Sequence, residues 1–222
     1  MSEWAWLEGQ ISVEAAIRGQ NRAIDVVYVR RGKGNRATRR LLKKAEKAGI
    51  TVETVDDSFI AEQAGGQSHG GVLARAGQRR FTSLYGLIEG RGNPLVVMLD
   101  GIEDPFNFGQ AVRALYAAGT DGLVVRPRNW LSATGTVARS SAGATELMPM
   151  AVAESALDAA QFFRQRGLTV ACTAKESAIS LYEADLTQPL FLLIGGEKRG
   201  VTRSFIDQAD LRLTIPYGRS FA

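Results

Sequence analysis

LVVMLDGIEDPFNFGQAVR, residues 95–113, reads as a strand that passes through a short loop into a helix. Its first five residues are all apolar, with no polar alternate for a wet face. Such a run belongs in a parallel sheet covered on both sides. Asp100 closes the strand, and Asn107 stands where it can cap a helix reaching about Ala118. The same texture recurs downstream in GLVVRP, LTVACTA, LFLLIGG and LRLTIPYG. Between these lie helical stretches around Gly135–Ser141, in SALDAAQFFRQRG and near Thr202–Ala209. Apolar strands alternating with helices define an α/β domain over residues 94–222. In such sheets ligands bind beyond the carboxyl ends of the strands.

Residues 1–80 read as a separate, smaller α/β unit. VEAAIRG opens it, and IDVVYVRRG carries a strand. ATRRLLKKAEKAGI places Ala37, Leu41, Leu42, Ala45 and Ala48 at helical spacing, with Gly49 as the stop. TVETV, DDSFIAEQAGG and GGVLARAG follow as strand, helix and strand. Residues 81–93 form the linker; with the preceding residues they read as a helix and a Gly/Asn turn before Pro94.

The 222-residue chain has a net charge of +4, unevenly divided. Residues 1–92 hold 15 basic and 10 acidic side chains, and residues 93–222 hold 12 and 13. Nine of the eighteen residues from Arg30 to Lys47 are basic, against Glu46 alone. That density exceeds what a solvated helix face needs and predicts a phosphate-binding surface through Arg30, Arg31, Lys33, Arg36, Arg39 and Arg40. A single cysteine, Cys172, excludes an internal disulfide; with a single histidine, His69, it also excludes a Cys/His zinc cage. No apolar run approaches the length of a membrane span, and the amino terminus lacks the basic and apolar regions of a secretory signal. A reduced, cytoplasmic protein is the expectation.

Four strand-end loops draw attention. Asn107 and Arg113 stand six residues apart after the first strand, and both face one site if the helix starts at Asn107. A cap plus a surface arginine explains the same residues. Arg139-Ser-Ser-Ala-Gly-Ala144 is rich in small residues, as a close-packed or phosphate-contacting turn requires. Gly195-Gly-Glu197 follows an apolar strand directly, where glycines let a ligand reach the main chain. Ile215-Pro216 ends the last strand. None of these is a G-x-x-x-x-G-K-[ST] or G-x-G-x-x-G phosphate loop.

Taken in order, N-F-G-x-x-x-R, R-S-S-A-G-A, G-G-E-x-x-G and I-P resemble the SpoU/TrmH family of RNA 2′-O-ribose methyltransferases, of the SPOUT class. The front block is similar to that family's small L30e-like RNA-binding domain. The resemblance implies a parallel-sheet SPOUT domain tied in a trefoil knot, S-adenosylmethionine as methyl donor, RNA as substrate and a homodimer. It implies catalytic roles for Asn107, Arg113 and Glu197, and cofactor contacts at Thr173, Gly195, Gly196 and Ile215. It also puts Ser141 and Gly143 on the RNA side. Ribosomal RNA suits a separate binding domain best, with transfer RNA open; a non-catalytic RNA-binding protein on the same fold is the alternative. In the family the I-P strand leads into a Ser-Leu-Asn-like turn and a last helix; here the sequence reaches Ala222 before that turn, so an incomplete carboxyl end is expected.

Overall fold

A computed structural model describes residues 4–32, 35–67, 69–127 and 134–219. The elements in chain order are β1 (Ala5–Glu8), α1 (Gln10–Gly19), β2 (Ile24–Arg30), α2 (Arg36–Lys47), β3 (Thr51–Val55), α3 (Asp57–Gln63) and β4 (Val72–Ala76). They continue with β5 (Leu95–Asp100), α4 (Pro105–Ala117), β6 (Gly122–Val125), α5 (Thr134–Ser140), α6 (Ala144–Leu147) and β7 (Met150–Val152). The last are α7 (Ala156–Arg164), β8 (Thr169–Thr173), β9 (Ile179–Ser180), β10 (Leu190–Gly195), α8 (Arg203–Ile206) and β11 (Leu211–Thr214).

The chain packs as two compact units that do not follow its sequence blocks. The first comprises residues 1–80, 104–118 and 128–148. Its sheet has the order β1-β4-β2-β3, parallel only between β2 and β3. Strand alternation divides its apolar residues between two faces. Val27 and Val29 join Leu7, Val13, Leu41 and Ala45, whereas Val26 and Tyr28 join Ile60 and Leu73. On α2 the buried stripe is Thr38, Leu41 and Ala45; Ala37 and Ala48, expected in it, are exposed. Asn35 caps this helix by accepting from the Thr38 amide. The first unit includes α4, α5 and α6 because α6 packs on α1, α5 packs on β1, and α4 packs on both α5 and α6.

The second unit comprises residues 81–103, 119–127 and 149–222. Its seven strands run parallel in the order β7-β6-β5-β10-β8-β11-β9. Val96, Met98, Phe191, Leu193, Val170 and Cys172 face one side with Phe163 of α7 and Phe205 of α8. Ala171, Leu190 and Leu213 face the other. Burial pushes the Cys172 thiol pKa up and keeps it neutral, as a core residue.

Residues 81–93 differ from the expected helix and linker. Only Tyr85–Leu87 is helical, as a single 3₁₀ turn. The Thr82 amide donates to the Met150 carbonyl at 2.9 Å, and Leu87 is fully buried in the second unit's core. Gly122 is needed there, since a Cβ would lie 2.7 Å from a Leu87 methyl. Leu87, with Leu84 and Ile88 packed half-buried against the same cluster, makes the segment part of the core.

Candidate functional site

In the second unit every strand is parallel, so the carboxyl ends of β5, β6, β8, β10 and β11 share one edge. Gly195 pairs in register with Asp100, and Leu213 with Thr173. Thr173, Gly195, Gly196, Glu197 and Ile215 therefore all stand at or just beyond this edge. Thr173 is half-buried, Gly196 is buried, Glu197 is exposed, and Ile215 is 56% exposed.

The two glycines are required by close backbone approaches. A Cβ on Gly195 would lie 2.2 Å from the Gly200 carbonyl carbon, and one on Gly196 would lie 2.0 Å from the Gly101 carbonyl oxygen. The Gly200 amide donates to the Gly196 carbonyl at 2.9 Å, closing a tight loop over Glu197–Arg199. The protein's own backbone thus fills the space beside both α-carbons, so what this loop offers a ligand is main-chain polar groups. Gly196→Ala is expected to cost about 1–3 kcal/mol, the range for overpacking, and to weaken any ligand held by the loop. The urea midpoint and ligand calorimetry check this. Asp100 pairs with Arg126, just beyond β6, at 3.6 Å. Arg126 was legible only as the end of GLVVRP.

The first unit holds the other site residues. Asp104, not Asn107, caps α4: its carboxylate accepts from the Asn107 amide at 2.7 Å, with Pro105 in the first turn. Asn107 thus already lies inside the helix. Asn107 and Arg113 are then about 120° apart around the axis, and the expectation of a cap at Asn107 is corrected. Both are exposed, whereas Phe108, Gly109 and Val112 are buried. Gly109 permits the close approach of α5, since a Cβ there would lie 1.8 Å from Ser140 Oγ.

Ser141 corrects another expectation. It is fully buried, its hydroxyl donating to the Ala138 carbonyl at 3.0 Å and accepting from the Thr145 amide at 3.2 Å. It holds the turn between α5 and α6 and offers RNA no surface. Gly143 in the same turn has φ +80°, and a Cβ would lie 2.5 Å from that of Ala15. His69 is likewise a turn residue, its Nδ1 accepting from the Gly71 amide.

The basic segment is less bare than its sequence suggests, because folding brings acids to it. Arg30 pairs with Asp57 at 3.4 Å and Arg31 with Asp56 at 2.9 Å, both acids from the start of α3. Glu14 of α1 pairs with Arg40 and Lys44. Among the described residues Arg36, Arg39, Lys43 and Lys47 form no ion pair and point four charges outward from α2. Lys33 lies outside the described residues.

Sequence reasoning missed a buried polar cluster in the first unit. Arg22 grips Glu146 with a two-pronged contact, 2.7 Å from Nε and 3.1 Å from Nη2, with side chains 6% and 2% exposed. Its remaining nitrogen donates to the Gly77 carbonyl, and Asn21 donates to the Glu146 carbonyl. Arg79 donates to the Thr145 and Met148 carbonyls; burial pushes its pKa down to about 10, so it stays charged at neutral pH. A lone acid in the apolar stretch GATELMPM was the one available signal. Among the described residues no helix is long and apolar enough to cross a membrane.

Two family models match this chain in tandem. The RNA 2′-O ribose methyltransferase substrate-binding model covers residues 6–82, and the SpoU rRNA methylase model covers residues 94–222. A parallel sheet with a glycine-built strand-end loop, preceded by a basic substrate-binding domain, defines the general class. The chain belongs to the SpoU rRNA methylase family. Among curated proteins it is 32% identical to a 23S rRNA (guanosine-2′-O-)-methyltransferase RlmB of Ralstonia nicotianae, covering 99% of this chain and 89% of that one. It is 30% identical to the RlmB of Pseudomonas aeruginosa, covering 99% and 90%. Among solved structures, an AdoMet-bound rRNA methyltransferase from Sinorhizobium meliloti shares the fold with a TM-score of 0.79 at 22% identity, covering 99% of this chain and 81% of that one. The SpoU methyltransferase AviRb from Streptomyces viridochromogenes shares it with a TM-score of 0.77 at 21% identity, covering 99% and 83%.

Proposed function

We propose that this protein transfers a methyl group from S-adenosylmethionine to a ribose 2′-hydroxyl of 23S-type ribosomal RNA, with guanosine the first nucleotide to test because the curated relatives are named for it. The observation that carries the reading is the strand-end loop Gly195–Gly200, closed against Gly101 at the carboxyl edge of the parallel sheet. Its chemistry fits the cofactor: main-chain donors and acceptors for the polar parts, Thr173 beside them, and the exposed Ile215 as an apolar contact. When bound, S-adenosylmethionine supplies an activated methyl on a sulfonium. Glu197 adds a carboxylate acceptor on the same loop.

A ribose hydroxyl is a poor nucleophile at neutral pH. Arginine keeps its proton in proteins, so Arg113 acts by holding the neighbouring phosphate and stabilising the developing alkoxide. Asn107 orients the hydroxyl, and its proton passes to solvent. The four outward charges of α2 hold the RNA backbone, so log K should fall with log salt at a slope of about −3 to −4. Between 50 and 200 mM salt that is roughly a hundredfold loss, and Arg36→Ala with Arg39→Ala should reduce the slope by about 1.5. Filter binding checks both; salt-independent affinity contradicts the assignment.

The interleaved order β5-β10-β8-β11 supports the knotted trace that the family resemblance implies. The reading also includes a cytoplasmic homodimer, supported by the exposed Ile179, Tyr182, Ile215 and Tyr217 around the last strands; light scattering tests the dimer. The function itself is tested by calorimetry with S-adenosylmethionine and tritiated-methyl transfer to ribosomal RNA. Binding of both without transfer would make the protein a non-catalytic RNA binder.

A further inference from the structure

We propose that Glu146 is a positioning residue for methyl transfer: with Arg22 and Arg79 it locks the helix that carries Asn107 and Arg113 to the sheet on which the RNA-binding helix α2 packs. The inference rests on the function proposed above. Its physical basis is a continuous run of contacts inside the first unit. Glu14 ties the basic helix α2 to α1 through Arg40 and Lys44. α1 packs on α6 so closely that Gly143 meets Ala15, and Gly19 leaves no room for a Cβ beside the Glu146 carbonyl, which would lie at 1.9 Å. α5 in turn meets α4 at Gly109, again without room for a side chain. A second buried acid holds the same carboxyl-terminal end of α5: Glu8, on β1, pairs with Arg139 and accepts from the Gly65 amide.

Apolar packing alone lets such helices slide, since hydrophobic contact has no direction. A two-pronged arginine–carboxylate contact fixes register. A buried ion pair is also a poor source of net stability compared with apolar residues of similar size. Its placement between the sheet that backs the RNA-binding helix α2 and the helix layer that carries Arg113 is therefore best explained by geometry. A displacement of about 1 Å at a reacting centre costs on the order of 10²-fold in rate, so a loosened register should appear in kcat.

The experiment compares the full-length wild type with Glu146→Gln and with the double variant Arg22→Met/Glu146→Met, in which apolar side chains refill the site. RNA affinity, S-adenosylmethionine affinity, melting temperature and single-turnover methyl transfer at saturating RNA and cofactor are measured. Ile60→Val, in the same unit's core but outside the cluster, serves as the stability control, and its rate constant should stay at the wild-type level. The proposal expects the double variant, in which Arg79 keeps its two carbonyl acceptors, to stay folded, to melt well above Glu146→Ala and to bind both ligands within about threefold, yet to transfer methyl roughly 10–100-fold more slowly. If the double variant fails to fold, Glu146→Gln below its melting transition should give the same split. Wild-type rate in the refilled variant, or a loss confined to KM for RNA, overturns the proposal. A wild type that transfers no methyl to any RNA overturns the function itself, and this inference with it.

Discussion

Arg113→Ala is expected to lower the methyl-transfer rate constant by about 10²–10³-fold, the range for removing one preorganised donor from a developing oxyanion. The side chain is exposed on α4, so truncation leaves no cavity, and the melting temperature should stay within a degree or two of wild type. The affinity for S-adenosylmethionine should also be unchanged, because the loop proposed to hold it is built from Gly195, Gly196 and Gly200 against Gly101. Arg113→Lys separates the two parts of the role. Lysine keeps the charge but not the planar fork that suits a phosphate, so it should recover only part of the rate. Full activity in the lysine variant would mean that the fork does not matter. Single-turnover tritium transfer, with calorimetry alongside, measures both.

Glu146→Ala is expected to have the largest effect on stability. It leaves Arg22, 6% exposed, without its counter-ion, and beside it Arg79, whose pKa burial already depresses. Breaking a buried pair from one side costs about 3–5 kcal/mol. For a protein of this size that lowers the melting temperature by roughly 6–20 °C. The contrast with Arg22→Met/Glu146→Met is informative, since removing both charges together should restore most of the loss. Thermal unfolding followed by circular dichroism checks both variants.

The elements most visible in the sequence were those whose residues all serve one purpose. The runs around Val96, Val124, Val170 and Phe191 are apolar because both faces of each strand are covered, and they form the parallel sheet expected of them. β1, β7, β9 and α6 escaped notice: each has at most four residues, too few for a period to emerge, whereas the equally short β6 stands out by its unbroken apolar run. The expected linker instead packs through Leu84, Leu87 and Ile88, three apolar residues too few to stand out in a segment rich in glycines and polar residues.

At the candidate site, residue types were legible and their surroundings were not. The spacing of Asn107 and Arg113 is plain, but Asp104 and Pro105 take over the helix start, so Asn107 is a residue inside the helix and not its cap. Ser141 carries a hydroxyl that a loop could offer to RNA, and only burial reveals that it is spent on the turn. Arg31 looks free until Asp56, 25 residues away, arrives beside it. The Arg22–Glu146 pair spans 124 residues of sequence, and no local pattern encodes a contact of that range.

The most direct test of the whole account gives the purified protein labelled S-adenosylmethionine and 23S rRNA lacking its 2′-O-methyl groups, then digests the RNA and identifies the labelled nucleoside by mass spectrometry. The account predicts label on a single ribose, as a 2′-O-methylated nucleoside, and its loss with Arg113→Ala. Label on a base, or no label from a protein that binds both RNA and cofactor, would contradict it.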